Sequence, residues 1–157
     1  MRADQIVLLS VRPRFAAALL DGTKTVELRR RRARIAPGTL CLLYESSPTC
    51  ALVGAVRVAE TETSDPEDIW SRHAPAMGLT RAEYDNYLEG AAQPCAIVVD
   101  ATAKFARPIR LHELRRRQRH FVTPQSYRFL KDREAPSLLN GQMQDLEPLS
   151  AVPKTAR

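Results

Sequence analysis

The 157-residue chain has no apolar run near the roughly 20 residues a membrane-spanning helix needs. Its apolar runs are also too short for a secretory leader, so it reads as cytoplasmic, with no membrane partner. Cysteine is sparse: Cys41, Cys50 and Cys95 are odd in number, far apart and in no CxxC pair. That excludes a disulfide framework and argues against a zinc site, leaving reduced core residues. His73, His112 and His120 show no ligand spacing, so neither a metal nor a cofactor is expected. No internal repeat occurs, and nothing specifies an oligomeric state. Acidic residues are in deficit, 18 against 24 Lys and Arg, for a net charge of +6 and a pI near 9.6. A basic excess favours polyanionic partners such as nucleic acid, although plain solubility has the same signature. The length suits one domain with a sizeable core, at a hydrophobic content of 44%.

Along the chain, Gln5 to Val11 reads as a buried strand. Pro13 suits the first position of a helix whose apolar residues are Phe15, Ala16, Leu19 and Leu20, stopped by Asp21-Gly22. Thr39 to Glu45 and Ala51 to Ala59 are further strands, the second with Gly54 where a bulge or close backbone approach is predicted. From Thr61 the pattern turns helical. Ser64 or Asp65 caps one helix carrying Ile69 and Trp70, and Thr80-Arg81-Ala82-Glu83 matches a capping box opening a second. Cys95 to Ala101 returns to strand, with Lys104 to Ile109 extending it to Pro108. A second basic run, Arg115, Arg116, Arg117 and Arg119, follows. Pro124 to Leu130 is expected as one helical turn. Residues 132–157, with Pro136, Pro148 and Pro153 and no aromatics, are expected as a loose tail outside a domain spanning 1–131.

The chain is organised around Gly22-Thr23-Lys24-Thr25-Val26-Glu27-Leu28-Arg29, followed by Arg30, Arg31, Arg32 and Arg34. Alternation from Lys24 to Arg30 reads as a strand. It places Thr25, Glu27 and Arg29 on one face and Lys24, Val26, Leu28 and Arg30 on the other. Lys24 then lies at the rim of the buried face. An edge strand with a solvated basic loop fits the same spacing.

The series Leu8 to Pro13, a helix, then GTKTVELRRR resembles the start of ASCH (activating signal cointegrator-1 homology) domains of the PUA-like superfamily. Their G-x-K-x-x-E-x-R pattern is matched by Gly22, Lys24, Glu27 and Arg29. The resemblance runs on through Tyr44 to Pro48, Val53-Gly54, Ile69-Trp70, Leu79-Thr80, Tyr87 and Pro124 to Ser126. It implies an α+β fold, a small twisted β-barrel with helices packed outside it. It also implies a basic cleft beside the G-x-K-x-x-E-x-R strand for RNA, single-stranded nucleic acid or a modified nucleobase.

Three functions follow. In a nucleic-acid binding module, Lys24, Arg29, Arg30, Arg31 and Arg32 meet phosphates. Glu27 accepts from a base edge, or instead fixes Lys24 and Arg29 by ion pairing. Tyr44 either stacks a base beside the loop of Ser46 and Ser47 or packs in a barrel end. The second is an amidohydrolase acting on N4-acetylcytidine or a similar nucleoside, as some small relatives are, with Lys24 and Glu27 catalytic. There the family's threonine position holds Glu27, Thr25 faces away, and Glu83 is a displaced candidate for the glutamate. The third is a ribonuclease or a transcription-regulatory interaction module.

Overall fold

The computed structural model describes residues 5–150. Strand β1 (Ile6–Val11) leads into helix α1 (Pro13–Asp21), opened by Pro13 and closed by Gly22 at φ 83°. That left-handed turn is free only to glycine. Strands β2 (Val26–Arg29), β3 (Leu40–Glu45) and β4 (Ala51–Thr63) follow, then helices α2 (Pro66–Met77) and α3 (Arg81–Tyr87). Strand β5 (Cys95–Arg110), helix α4 (Leu111–Arg117), strand β6 (Tyr127–Phe129), helix α5 (Glu134–Leu138) and a 3₁₀ turn over Met143–Leu149 complete the fold.

The strands form one mixed sheet in the order β2-β5-β4-β3-β1-β6, curled into a half-barrel. Only β1 and β3 pair in parallel, which the intervening α1 and β2 allow; the other pairs are antiparallel. The fold is α+β, as the resemblance implies. Alternation along β1 and β3 sorts their side chains. Val7, Leu9, Cys41 and Leu43 pack on one face with Leu19 of α1, while Leu8, Leu42 and Tyr44 pack on the other. At the β2 end, Val26 and Leu28 are covered by Ile69 and Met77 of α2 and Tyr84 of α3. Asp65 caps α2, and α3 carries the full Thr80–Glu83 capping box.

Three expectations are corrected. Residues 124–130 make no helical turn, because Tyr127–Phe129 pairs with β1, where Leu9 and Val7 offer an open edge. Residues Thr61–Thr63 continue β4 against Cys95–Ile97, so the composition break at Thr61 is not a strand end. Residues 132–150 are not a loose tail: Ala135, Leu138, Leu139, Leu146 and Leu149 are buried against Phe105 and Ile109. Leucines at short spacing, not aromatics, supply that cover. Hydrogen bonds fix it further, with Arg57 Nη1 donating to the Leu149 carbonyl (2.9 Å) and Gln142 Nε2 to the Arg107 carbonyl (2.9 Å). The expected tail's last residues, 151–157, lie outside the described residues.

Glu134 joins this segment to the body. Its carboxylate accepts both Arg128 Nη1 (3.1 Å) and Nη2 (2.8 Å), and also the Lys131 amide (2.9 Å). Burial alone pushes the Glu134 carboxyl up, but these donors outweigh it and hold it below the ordinary 4.5. A depressed folded-state pKa stabilises the fold above the unfolded value and stops doing so as pH falls through the folded value. Glu134→Gln is therefore expected to lower Tm at pH 7, with the gap from the parent closing as pH drops below 4.5. Thermal melts of both proteins across that range check it.

Candidate nucleic-acid interface

Beside β2 lies a cleft of about 780 Å³, bounded by the end of β1, the first turn of α1, the α2–α3 junction and the residue 125 loop. Its floor is charged. Lys24 Nζ lies 3.4 Å from Glu27 Oε1, and Arg29 Nη2 lies 2.7 Å from Glu27 Oε2. All three side chains are largely buried, at 1%, 8% and 12% exposure for Lys24, Glu27 and Arg29. One carboxylate is therefore shared by two cations, and the floor carries one surplus positive charge.

The local chain explains this grouping and corrects the expected alternation. Strand β2 begins only at Val26. Before it, the Lys24 amide donates to the Ala18 carbonyl and the Thr25 amide to the Ala76 carbonyl, each at 3.0 Å. The backbone at Lys24 is held between the ends of α1 and α2 and has not entered the pleat. Lys24 thus reaches Glu27 and is fully buried, where the strand pattern put it on the opposite face at a rim. Its Nζ donates to the Met77 carbonyl at 2.5 Å and sits 4.8 Å from the centre of the Phe15 ring. Burial pushes the Lys24 ammonium below its ordinary 10.5, while the neighbouring Glu27 carboxylate works the other way.

Arg29 also ties the half-barrel across its open side. Its Nη2 donates to the Ser10 carbonyl of β1 at 2.8 Å, and Nη1 reaches Ser126 Oγ at 3.4 Å. Its Nε is buried without a protein acceptor. Ser10 is itself anchored, its amide to the Ser126 carbonyl (2.9 Å) and its Oγ to the Pro124 carbonyl (2.6 Å). A floor held from both strands is preorganised rather than adaptable.

The walls come from elsewhere. Phe15 and Tyr87 supply aromatic surface, Leu79 and Leu28 apolar surface, and Arg12, Arg14, Glu83 and Gln125 the polar lip. Tyr87 is 37% exposed, with its hydroxyl directed to the Leu28 carbonyl. Glu83 is bound by Arg14 and the Thr80 amide, which pull its carboxyl down to about 2. It stays ionised at neutral pH and has no proton to donate.

The other expected residues divide. Ser46 lines the cleft, whereas Ser47 is exposed in the loop beyond it. Arg30 turns toward the end of α3 and donates to the carbonyls of Tyr87 (2.5 Å) and Glu89 (3.0 Å). Arg31 and Arg32 are exposed on the loop after β2. Tyr44 is only 4% exposed and packs with Leu52, Phe105 and Ile109, because its strand position faces the other side of the sheet. Burial pushes its hydroxyl up to about 12. Thr25 is exposed and is not among the cleft residues. Sequence reasoning missed Phe15 and Tyr87 as walls, since both sit at apolar positions of helices, and it missed Arg12 at the strand–helix corner. Among the described residues, no group of three or more His, Cys, Asp or Glu side chains is placed to hold a metal, and no helix is long and apolar enough to cross a membrane.

The sequence profile of the ASCH domain matches residues 9–106. An ASCH domain-containing ribonuclease of Zymomonas mobilis is 29% identical over 133 residues, covering 85% of this chain and 89% of the relative. The crystal structure of the Z. mobilis ASCH protein superposes with a TM-score of 0.80 over 85% of this chain and 92% of its own. A serine-to-alanine variant of that protein, 27% identical, gives 0.83 over 90% and 99% of the two chains. Matched over more than half its length and sharing the half-barrel of these relatives, the chain belongs to the ASCH domain family, within the PUA-like fold.

Proposed function

We propose that this protein binds single-stranded RNA and takes one unstacked nucleobase into the cleft, edge-first onto the Lys24–Glu27–Arg29 floor. The observation that carries this reading is the shared carboxylate with its surplus cation, buried beneath Phe15 and Tyr87. An ammonium has three donors, and Lys24 Nζ commits two of them, to Met77 and Glu27. That leaves one N–H beside a carboxylate with spare lone pairs. A donor next to an acceptor matches the alternating edge of an unpaired base. Aromatic walls suit stacking, at about 1–3 kcal/mol per base. The exposed Arg12, Arg31 and Arg32 serve the phosphates, a task for which the buried Lys24 and Arg29 are poorly exposed. A modified base is accommodated by the same logic, since the cleft volume of about 780 Å³ exceeds a single plain base.

The relative's name favours a second reading, in which the bound strand is then cut. Lys24 and Glu27 are the groups in the cleft suited to move a proton, because burial brings the Lys24 pKa down toward neutrality. The amidohydrolase reading has less support. Thr25 is exposed away from the cleft, and Glu83 is fixed as a carboxylate.

The test is fluorescence anisotropy with short RNA and DNA strands across a salt series, followed by gel analysis of the same RNA. Micromolar or tighter RNA binding with a negative log–log salt slope is expected, about 0.7 per phosphate contacted. Fragments that appear with the parent and not with Glu27→Gln would establish cutting. Absence of RNA binding at low salt, with turnover of an acylated cytidine, would replace this reading with the hydrolase.

A further inference from the structure

A second concavity of about 730 Å³ lies between the end of α4, the residue 122 loop and the start of α5. Arg119, Arg128, Lys131 and Arg133 line it, against the carboxylates of Asp132 and Glu134. Glu134 is wholly engaged by the Arg128 fork and the Lys131 amide. Arg128 is spent as well: its Nε donates to the Val122 carbonyl and its guanidinium lies 5.5 Å from the Phe121 ring centre. The Arg128–Glu134 pair therefore builds a wall. Arg119, Lys131 and Arg133 are all exposed, and among the described residues they form no ion pair with a carboxylate.

The chain between the two depressions is short and rigidly seated. Gln125 lines the cleft and Arg128 lines the groove, three residues apart, so at most about 11 Å of extended chain separates them. Ser126 and Pro124 accept from Ser10, and Tyr127–Phe129 pairs with β1, which fixes the two sites relative to each other. Three exposed cations in a groove one short step from a base-sized cleft form a track suited to a flexible polyanion.

We infer that the Arg119–Lys131–Arg133 groove is a second phosphate-contacting segment, which grips the RNA strand beyond the nucleotide held in the cleft. The inference rests on the RNA-binding reading and adds a direction, since the strand leaves the cleft over residues 122–128. The groove contributes backbone affinity and no base preference, because its free groups are point charges and one exposed valine, Val122.

The test compares two probes, a nucleoside monophosphate and a fluorescent single-stranded RNA of about twelve nucleotides, within the site sizes seen for single-strand binders. With Arg119→Glu/Lys131→Glu, the long strand is expected to bind roughly tenfold to a hundredfold more weakly, and its salt slope to fall by about two. The monophosphate should bind as to the parent. The charge-conserving Arg119→Lys/Lys131→Arg protein should recover the long-strand affinity, which separates lost charge from lost folding. Unchanged long-strand binding in the charge-reversed protein overturns the inference and leaves the cleft reading intact. Equal weakening of both probes also overturns it, since the groove would then act through the fold. If the parent binds neither probe, the RNA reading itself fails and the inference falls with it.

Discussion

Glu27→Ala is expected to destabilise the protein by about 3–5 kcal/mol, the cost of stranding buried charge. Lys24→Met should stay within about 1 kcal/mol of the parent. The asymmetry follows from the charge count at the cleft floor. Glu27 is the single anion between Lys24 and Arg29, at 3.4 and 2.7 Å. Removing it leaves two buried cations facing each other. Removing the Lys24 charge leaves the neutral Glu27–Arg29 pair intact and relieves the desolvated ammonium, at the loss of one hydrogen bond to the Met77 carbonyl. The two effects should also couple: in a Lys24→Met background, Glu27→Ala should cost less than it does alone. Urea unfolding of the four proteins of that cycle measures both quantities. A small Glu27→Ala cost, equal in both backgrounds, would show that the floor is solvated and that its charges act independently.

The second large effect is steric. A Cβ on Gly54 would lie 2.5 Å from the Ala103 carbonyl oxygen and 2.7 Å from Leu20 Cδ2. The first contact is backbone of the neighbouring strand, in a region where the β4–β5 register already shifts between Leu52 and Gly54. It cannot be relieved by turning a side chain. Gly54→Ala is expected to cost about 3 kcal/mol, at the upper end for overpacking, and to lower Tm by roughly 6–12 °C at this chain length. Adding Leu20→Ala removes the side-chain clash and leaves the carbonyl clash, so it should restore little. Full recovery in the double variant would place the strain in α1 and not between strands. Leu20 stands four residues before Lys24, so a displaced α1 would also disturb the cleft floor.

Local rules carried much of this fold. Pro13 and Gly22 bracket α1 as the sequence reading has them, and Thr80 with Glu83 forms the capping box. Glycine inside a strand marked the close approach at Gly54. The failures share a physical cause, which is that tertiary partners decide where local preference is weak. Tyr127–Phe129 becomes a strand because β1 has an edge to fill, and residues 132–150 order because scattered leucines find a sheet face. The cleft was legible in part. Glu27 and Arg29, two apart on one strand, share a face by the pleat alone. The side chain of Lys24 was misplaced because the pleat begins two residues after it. Tyr44 was open between a stacking role and a core role, and strand parity put it in the core. Phe15 and Tyr87 lie 72 residues apart in sequence and meet at the cleft only through packing of α1 and α3 beside β2. No spacing rule connects them.

The most direct measurement is RNA affinity of Lys24→Met beside its melting temperature. Lys24 supplies the surplus charge and the free donor of the floor, and its removal leaves a neutral, paired core. The account predicts a Tm close to the parent's together with a loss of RNA binding of about tenfold or more, the worth of one buried charge-assisted hydrogen bond. Unchanged RNA affinity in a protein that melts like the parent would contradict it, and would make the Lys24–Glu27–Arg29 cluster a clasp for the half-barrel alone.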